Sequence, residues 1–196
     1  MPSSPPLLSL AASALLGAAL GACAPSEPPA PTGPTAAPAG VGEVPPIIDA
    51  RSARAEIQPV GDGRARGTVT LTEVSGGVRV QAQLEGLSAS GFHAFQILRW
   101  ADCGDQPDAA HLGAETGAPH GGPYAPPGFR HAGDLGNVRG DEGDGRYDRV
   151  DPVLTLDGSG SAAGRAVVIR ALPDDAVSPD GAAGAVLGCG VLEAVR

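Results

Sequence analysis

The sequence predicts an all-β fold, an antiparallel sandwich or Greek-key barrel of seven or eight short strands, on three observations. Residues 78–85 alternate apolar and polar side chains without a break, which is the period of a strand with one face in a core. Turn clusters rich in Gly, Ser and Asp recur between such runs, at residues 61–63, 75–77, 88–91 and 157–160. No stretch repeats its apolar residues at the helical period.

Strands are expected at residues 53–60, 68–72, 78–85, 92–98, 153–156, 164–172 and 185–195. Residues 102–137 break the pattern. They are long, do not alternate, and carry three of the four histidines. Loops of that length are either functional or tied down.

Composition sets the limits. The chain has 196 residues, 13 cationic side chains, all of them Arg, and 22 acidic ones, for a net charge of −9. That balance opposes a nucleic-acid or anionic-membrane surface, since such partners attract basic proteins. Thirty Gly, twenty Pro and only 3% aromatics leave a thin core that calls for a staple. The lack of Lys and the single Asn, Asn137, carry no functional reading.

The N-terminal segment reads as an address. Residues 7–22 are apolar or small, fewer than the roughly 20 that span a bilayer. The run closes on Leu20-Gly21-Ala22-Cys23 and resembles a bacterial lipoprotein signal with its lipobox, in which cleavage leaves Cys23 for lipidation. No basic residue precedes the run, a departure from the usual signal; the alternative is an uncleaved N-terminus with Cys23 as an ordinary thiol. Residues 24–46 hold eight prolines and almost no large apolar side chain, too little to offset ordering entropy. The expected organisation is a signal at 1–22, a semi-extended tether at 23–46 and a domain at 47–196, exported to the periplasm or cell surface and held to a membrane by its lipid. In such a compartment Cys103 and Cys189 are a candidate disulfide, the alternative being two free thiols. A bridge would pin the long loop to the last strand and stabilise the fold by roughly 4 kcal/mol.

Several strings name a family. Gly91-Phe-His93, His120-Gly-Gly-Pro123, Arg130-His-Ala-Gly-Asp-Leu-Gly-Asn137, Gly164-Arg-Ala-Val-Val-Ile169, Pro173-Asp-Asp175 and Leu187-Gly-Cys-Gly-Val191 occur in this order. Together they resemble the copper/zinc superoxide dismutases. The resemblance implies an eight-stranded Greek-key barrel, a disulfide-anchored metal loop and a Cys103–Cys189 bridge. It also implies a zinc site of three His and one Asp, onto which His120, His131 and Asp134 match. The fourth ligand, shared with copper in the family, falls on His111, one residue out of register. Without a metal, the four would be polar contacts that order the loop.

The copper site reads differently. His93 stands at the first ligand position, Phe95 at the second, and Arg170 where the family has a later His. The family's anion-guiding Arg falls on Val186. Six histidines serve both metals in the family and this chain has four, so zinc is expected and copper is not. Asp174 matches the carboxylate that links the two sites, and an ion pair of Arg170 with Asp174 and Glu115 is expected in place of copper. The alternative is an exposed Arg at a strand end. Three functions follow: a zinc-holding domain without redox chemistry, a dismutase with an altered copper site, or a surface interaction module on the same scaffold. Phe95, Trp100 and Phe129 are either a contact face for the last or the loop's own small core. No particular protein partner is legible.

Overall fold

The computed structural model describes residues 51–103 and 111–195. The signal, the tether and Cys23 lie outside the described residues.

The strands are β1 (Ser52–Pro59), β2 (Arg66–Val74), β3 (Gly77–Glu85), β4 (Ser90–Ile97), β5 (Asp134–Asp141), β6 (Asp144–Asp151), β7 (Ala166–Arg170), β8 (Val186–Val191) and β9 (Glu193–Val195). All pair antiparallel in the order β2-β3-β6-β5-β4-β7-β8-β1, and β1 pairs back onto β2. The sheet therefore closes into an eight-stranded Greek-key barrel, in which β5 and β6 pair only at their hairpin end. The short β9 continues the line of β8 along the start of β1.

The alternation seen in the sequence fills the interior. Ala53, Ala55 and Ile57 of β1, Val69 and Leu71 of β2, and Val78, Val80, Ala82 and Leu84 of β3 are all buried in one cluster. Aliphatic side chains fill the interior, and of the described aromatics Phe95 is the one fully buried among them. Its ring meets Tyr147 edge-on, with centroids 5.0 Å apart.

Two strand expectations are corrected. Residues 153–156 form no strand, because the Asp151 side chain accepts the N–H groups of Val153 and Leu154, at 2.9 and 3.2 Å, and Pro152 has none to offer. The β5–β6 hairpin went unread because β6 is polar along its length, with only Gly145 and Asp151 fully buried. It is held by unbroken pairing with β3 and by an Arg79–Asp148 ion pair at 2.6 Å across that pairing. Its turn places Glu142 and Gly143 at φ 51° and 97°, the left-handed geometry of a tight hairpin.

Two devices fasten the long loop to the barrel. Cys103 and Cys189 form a disulfide, and Cys189 packs with Leu98, Ala166, Val168 and Val186 in a small cluster apart from the main core. Arg130, only 2% exposed, pairs its guanidinium with Asp151 at the end of β6. Its other terminal nitrogen donates to the carbonyls of His131 and Asp134, at 3.0 and 3.2 Å.

Reducing the Cys103–Cys189 bridge is expected to lower unfolding free energy by roughly 4 kcal/mol, because it reopens a large chain loop; denaturant titration with and without reductant measures this. Arg130→Met strands a buried carboxylate and is expected to cost about 3–5 kcal/mol in the same titration. The double variant Arg130→Met, Asp151→Leu should recover part of that loss.

Candidate metal centre

The centre forms where the long loop meets the ends of β4 and β5. His111 bridges to Leu98 just beyond β4, and the Leu112 N–H donates to the Ile97 carbonyl at 2.9 Å. Gly133 completes the contact: its N–H donates to the Leu112 carbonyl at 2.8 Å, and its carbonyl accepts from the Ile97 N–H at 3.0 Å. A Cβ on Gly133 would lie 2.1 Å from the Ile97 carbonyl oxygen. Only glycine lets the turn carrying His131 and Asp134 lie this close to β4. Gly121 is confined in the same way, 2.5 Å from the Phe129 carbonyl oxygen, and it brings in His120.

Asp134, wholly buried, is the hub. Its Oδ2 accepts the N–H groups of His131 and Gly121, at 2.8 and 3.1 Å. That fixes the carboxylate and turns Oδ1 toward three imidazoles. The Nδ1 atoms of His111, His120 and His131 lie 2.7, 3.1 and 3.2 Å from Oδ1. Each ligand type that the sequence pointed to is thus brought to one point, with His111 included.

The outer ring nitrogens set the inner ones. His131 Nε2 lies 2.9 Å from the Ala118 carbonyl, which only accepts, so this nitrogen carries a proton. His120 Nε2 lies 2.8 Å from Asp174 Oδ1. His111 Nε2 is buried without a hydrogen-bond partner, and so is His120 Nδ1, which is near Asp134 but off the line of a hydrogen bond. Buried polar atoms of this kind are normally satisfied. The orphaned His120 Nδ1 lies beside a carboxylate oxygen shared by three rings, and the three Nδ1 atoms with that oxygen make a donor set that fits a cation.

Electrostatics agree. Burial opposes charge on His120, yet the carboxylates of Asp134 and Asp174 push its pKa up to about 10. Burial likewise opposes charge on Asp134, but the surrounding imidazoles hold its carboxyl far below the usual carboxylate range. Asp174 is also lowered despite burial, by its bonds from His120, Gln96 and the Ala176 N–H.

The structure places the positions read as copper sites away from the donor cluster. His93 is not part of the cluster. Its Nε2 accepts the Ser88 N–H at 3.1 Å, and its Nδ1 lies 3.0 Å from the Arg170 carbonyl. Both nitrogens are used in clasping the start of β4 to the end of β7. Phe95 faces the barrel interior. Strand alternation is the physical cause: Phe95 and Ile97 both point into the barrel interior, and Gln96 between them points to the other face of β4. The residue that faces the centre is Gln96, which is wholly buried.

Arg170 also differs from expectation. Its Nε donates to Gln96 Oε1 at 2.9 Å and its Nη1 to the Gly184 carbonyl at 3.0 Å. Gln96 Nε2 then donates to Asp174 Oδ2 at 3.0 Å. The link from Arg170 to Asp174 thus runs through an amide, while Glu115 stands 3.8 Å from Arg99. Val186, at the guiding-Arg position, is packed beside the disulfide. The three aromatics do not assemble: Phe95 is internal, Trp100 half-buried and Phe129 exposed.

Sequence reasoning missed Gln96 and Asn137. Asn137 accepts the Asp174 N–H at 2.7 Å and donates to the Asp174 carbonyl at 3.0 Å, clamping that loop to β5. Its being the only Asn in the chain was the available signal.

Comparison with known proteins agrees with this geometry. Residues 65–192 match the copper/zinc superoxide dismutase (SODC) family. A Cu-Zn superoxide dismutase of Caulobacter vibrioides is 34% identical over 145 residues, covering 68% of this chain and 81% of that protein. One from Arabidopsis thaliana is 35% identical over 147 residues, covering 67% and 85%. The crystal structure of the clock protein EA4 superposes with a TM-score of 0.65 at 31% identity, covering 76% of this chain and 98% of that one. By its barrel, its disulfide-tied loop and this match over more than half its length, the chain belongs to the copper/zinc superoxide dismutase family.

Proposed function

We propose that the chain is an exported, lipid-anchored domain that holds one zinc ion at His111, His120, His131 and Asp134 and carries out no copper-dependent dismutation. The observation that carries this reading is the contrast between two neighbouring positions. At one, four donors converge on a point. At the other, Gln96 and Arg170 are tied to each other and to Asp174, and His93 is engaged with backbone.

Three imidazoles and a carboxylate form an ordinary tetrahedral zinc set. Bonds of 2.0–2.1 Å imply ligand-to-ligand edges of about 3.3 Å, and the separations from Asp134 Oδ1 are 2.7–3.2 Å. Zinc supplies charge and cross-linking but no accessible redox step. Dismutation needs a centre that one superoxide reduces and the next reoxidises. A guanidinium does neither, cannot be deprotonated and binds no metal. Export and lipidation at Cys23 rest on the N-terminal sequence, and the disulfide accords with an oxidising compartment.

A second reading, a dismutase with an altered copper site, draws on His111 Nε2, buried and without a partner beside Leu98. It needs further donors around that atom, whereas Leu98 there is apolar and Gln96 is already bonded.

Metal counting separates these readings. The domain from Pro46 onward, oxidised, equilibrated with both metals and freed of loose ions, is expected to retain one zinc and no copper by mass spectrometry, and to show no superoxide dismutase activity. His120→Ala or Asp134→Asn should abolish retention. One tightly held copper with activity would establish the second reading instead.

The pH dependence has a definite sign. In the metal-free domain the raised His120 pKa contributes stability that is full below its ordinary value of about 6.5 and is lost as pH rises toward about 10. Zinc must displace that proton. The zinc-induced rise in Tm is therefore expected to grow from about pH 6 to about pH 9, with protons released on uptake. Calorimetry in buffers of different ionisation enthalpy checks this, and a zinc effect independent of pH would contradict it.

A further inference from the structure

We propose that Gln96 is a positioning residue for the metal centre: oriented by Arg170, its amide fixes Asp174, and through Asp174 it fixes the ring of His120. The inference rests on the zinc reading of the site.

The side chains form one directed series. Arg170 has only donors, so Nε, 2.9 Å from Gln96 Oε1, requires the amide oxygen to face it. The NH2 end must then point the other way, and it donates to Asp174 Oδ2 at 3.0 Å. Asp174 in turn accepts His120 Nε2 on Oδ1 at 2.8 Å. A proton held on Nε2 leaves the lone pair on Nδ1, and Nδ1 is the atom that lies 3.1 Å from Asp134 Oδ1. Reversing the amide would set its oxygen against the Asp174 carboxylate and its NH2 against the guanidinium. Both contacts would be repulsive, so the cation at the far end selects the orientation.

Burial gives the series its weight. Gln96 has no exposed surface, and the side chains of His120 and Asp174 are 1% and 2% exposed. Loss of the amide leaves Asp174 Oδ2 without this donor in a site where water is largely excluded. Asp174 keeps its backbone ties to Asn137 and the Ala176 N–H on Oδ1. The loop therefore stays placed, while the carboxylate loses the contact that sets its rotation about the last side-chain bond. The expected effect falls on metal affinity rather than on the fold.

The test compares the wild-type domain with Gln96→Met, Asp174→Asn and the double variant. Zinc affinity is measured by competition with a chromophoric chelator, alongside the stability of each metal-free form. Gln96→Met is expected to weaken zinc binding at least about tenfold, the size seen for outer contacts of a ligating histidine. In the Asp174→Asn background the same change should have little further effect, because the two act through one path. The His120 Nε2 proton in the zinc-loaded protein, followed by 15N NMR, should exchange faster in Gln96→Met than in the wild type. Arg170→Gln, at a half-buried position, gives a milder loss in the same direction and serves if Gln96→Met does not fold. Binding within twofold of wild type, or losses that simply add in the double variant, would overturn the inference while leaving the zinc reading intact. A wild-type domain that takes up no zinc would overturn both.

Discussion

The carboxylate of Asp134 is the point on which loop, barrel and centre depend. It opens β5, so its backbone belongs to the barrel. Its Oδ2 holds the N–H groups of His131 and Gly121, so the loop is folded around it. Its Oδ1 faces all three imidazoles. A buried carboxylate needs several partners to stay charged, and here they come from three stretches of chain, at His111, at His120 and Gly121, and at His131. Satisfying one side chain therefore organises residues 111–134. Arg130 adds a second constraint from outside, because it grips the carbonyls on either side of that turn while its charge is met by Asp151.

Much of this was legible because it follows local rules. The interior strands declare themselves by period-two alternation, and β1 to β3 lie close to where that pattern places them. The donors His120, His131 and Asp134 sit in short strings whose spacing suits a tight turn. The hairpin β5–β6 was not legible, since its outer face is charged and its stability comes from pairing with β3, a contact distant in sequence. Nor was Gln96. Strand parity puts Phe95 and Ile97 in the interior and Gln96 on the other face of β4, where Arg170 and Asp174 meet it. Alternation shows which residues share a face, but in a strand buried on both sides it does not show which face carries a site.

On the reading proposed above, the two halves of the family's dinuclear arrangement have separated in this chain. The half that retains its donors is the one embedded in the loop and needed for its shape. The other half, lined by Gln96, Leu98 and Arg170, is built from side chains that bond to each other or pack against the disulfide cluster. Such a division is physically natural. A cation that cross-links a long loop contributes folding free energy wherever it binds.

The charge balance explains how the centre persists in either state. Asp134 and Asp174 place two carboxylates in the interior beside His120. Without metal, the His120 imidazolium offsets part of that charge, which is why its pKa stands near 10. A divalent ion at the Nδ1 cluster offsets all of it, and the proton on Nε2 remains with Asp174. A proton and a divalent cation would therefore compete for one nitrogen of one ring, with Asp174 holding the other nitrogen in both states. Rotation of that ring is the movement that would spoil both arrangements. The most consequential contact outside the four donors is therefore the one that holds Asp174 against His120, and the series from Arg170 through Gln96 ends there.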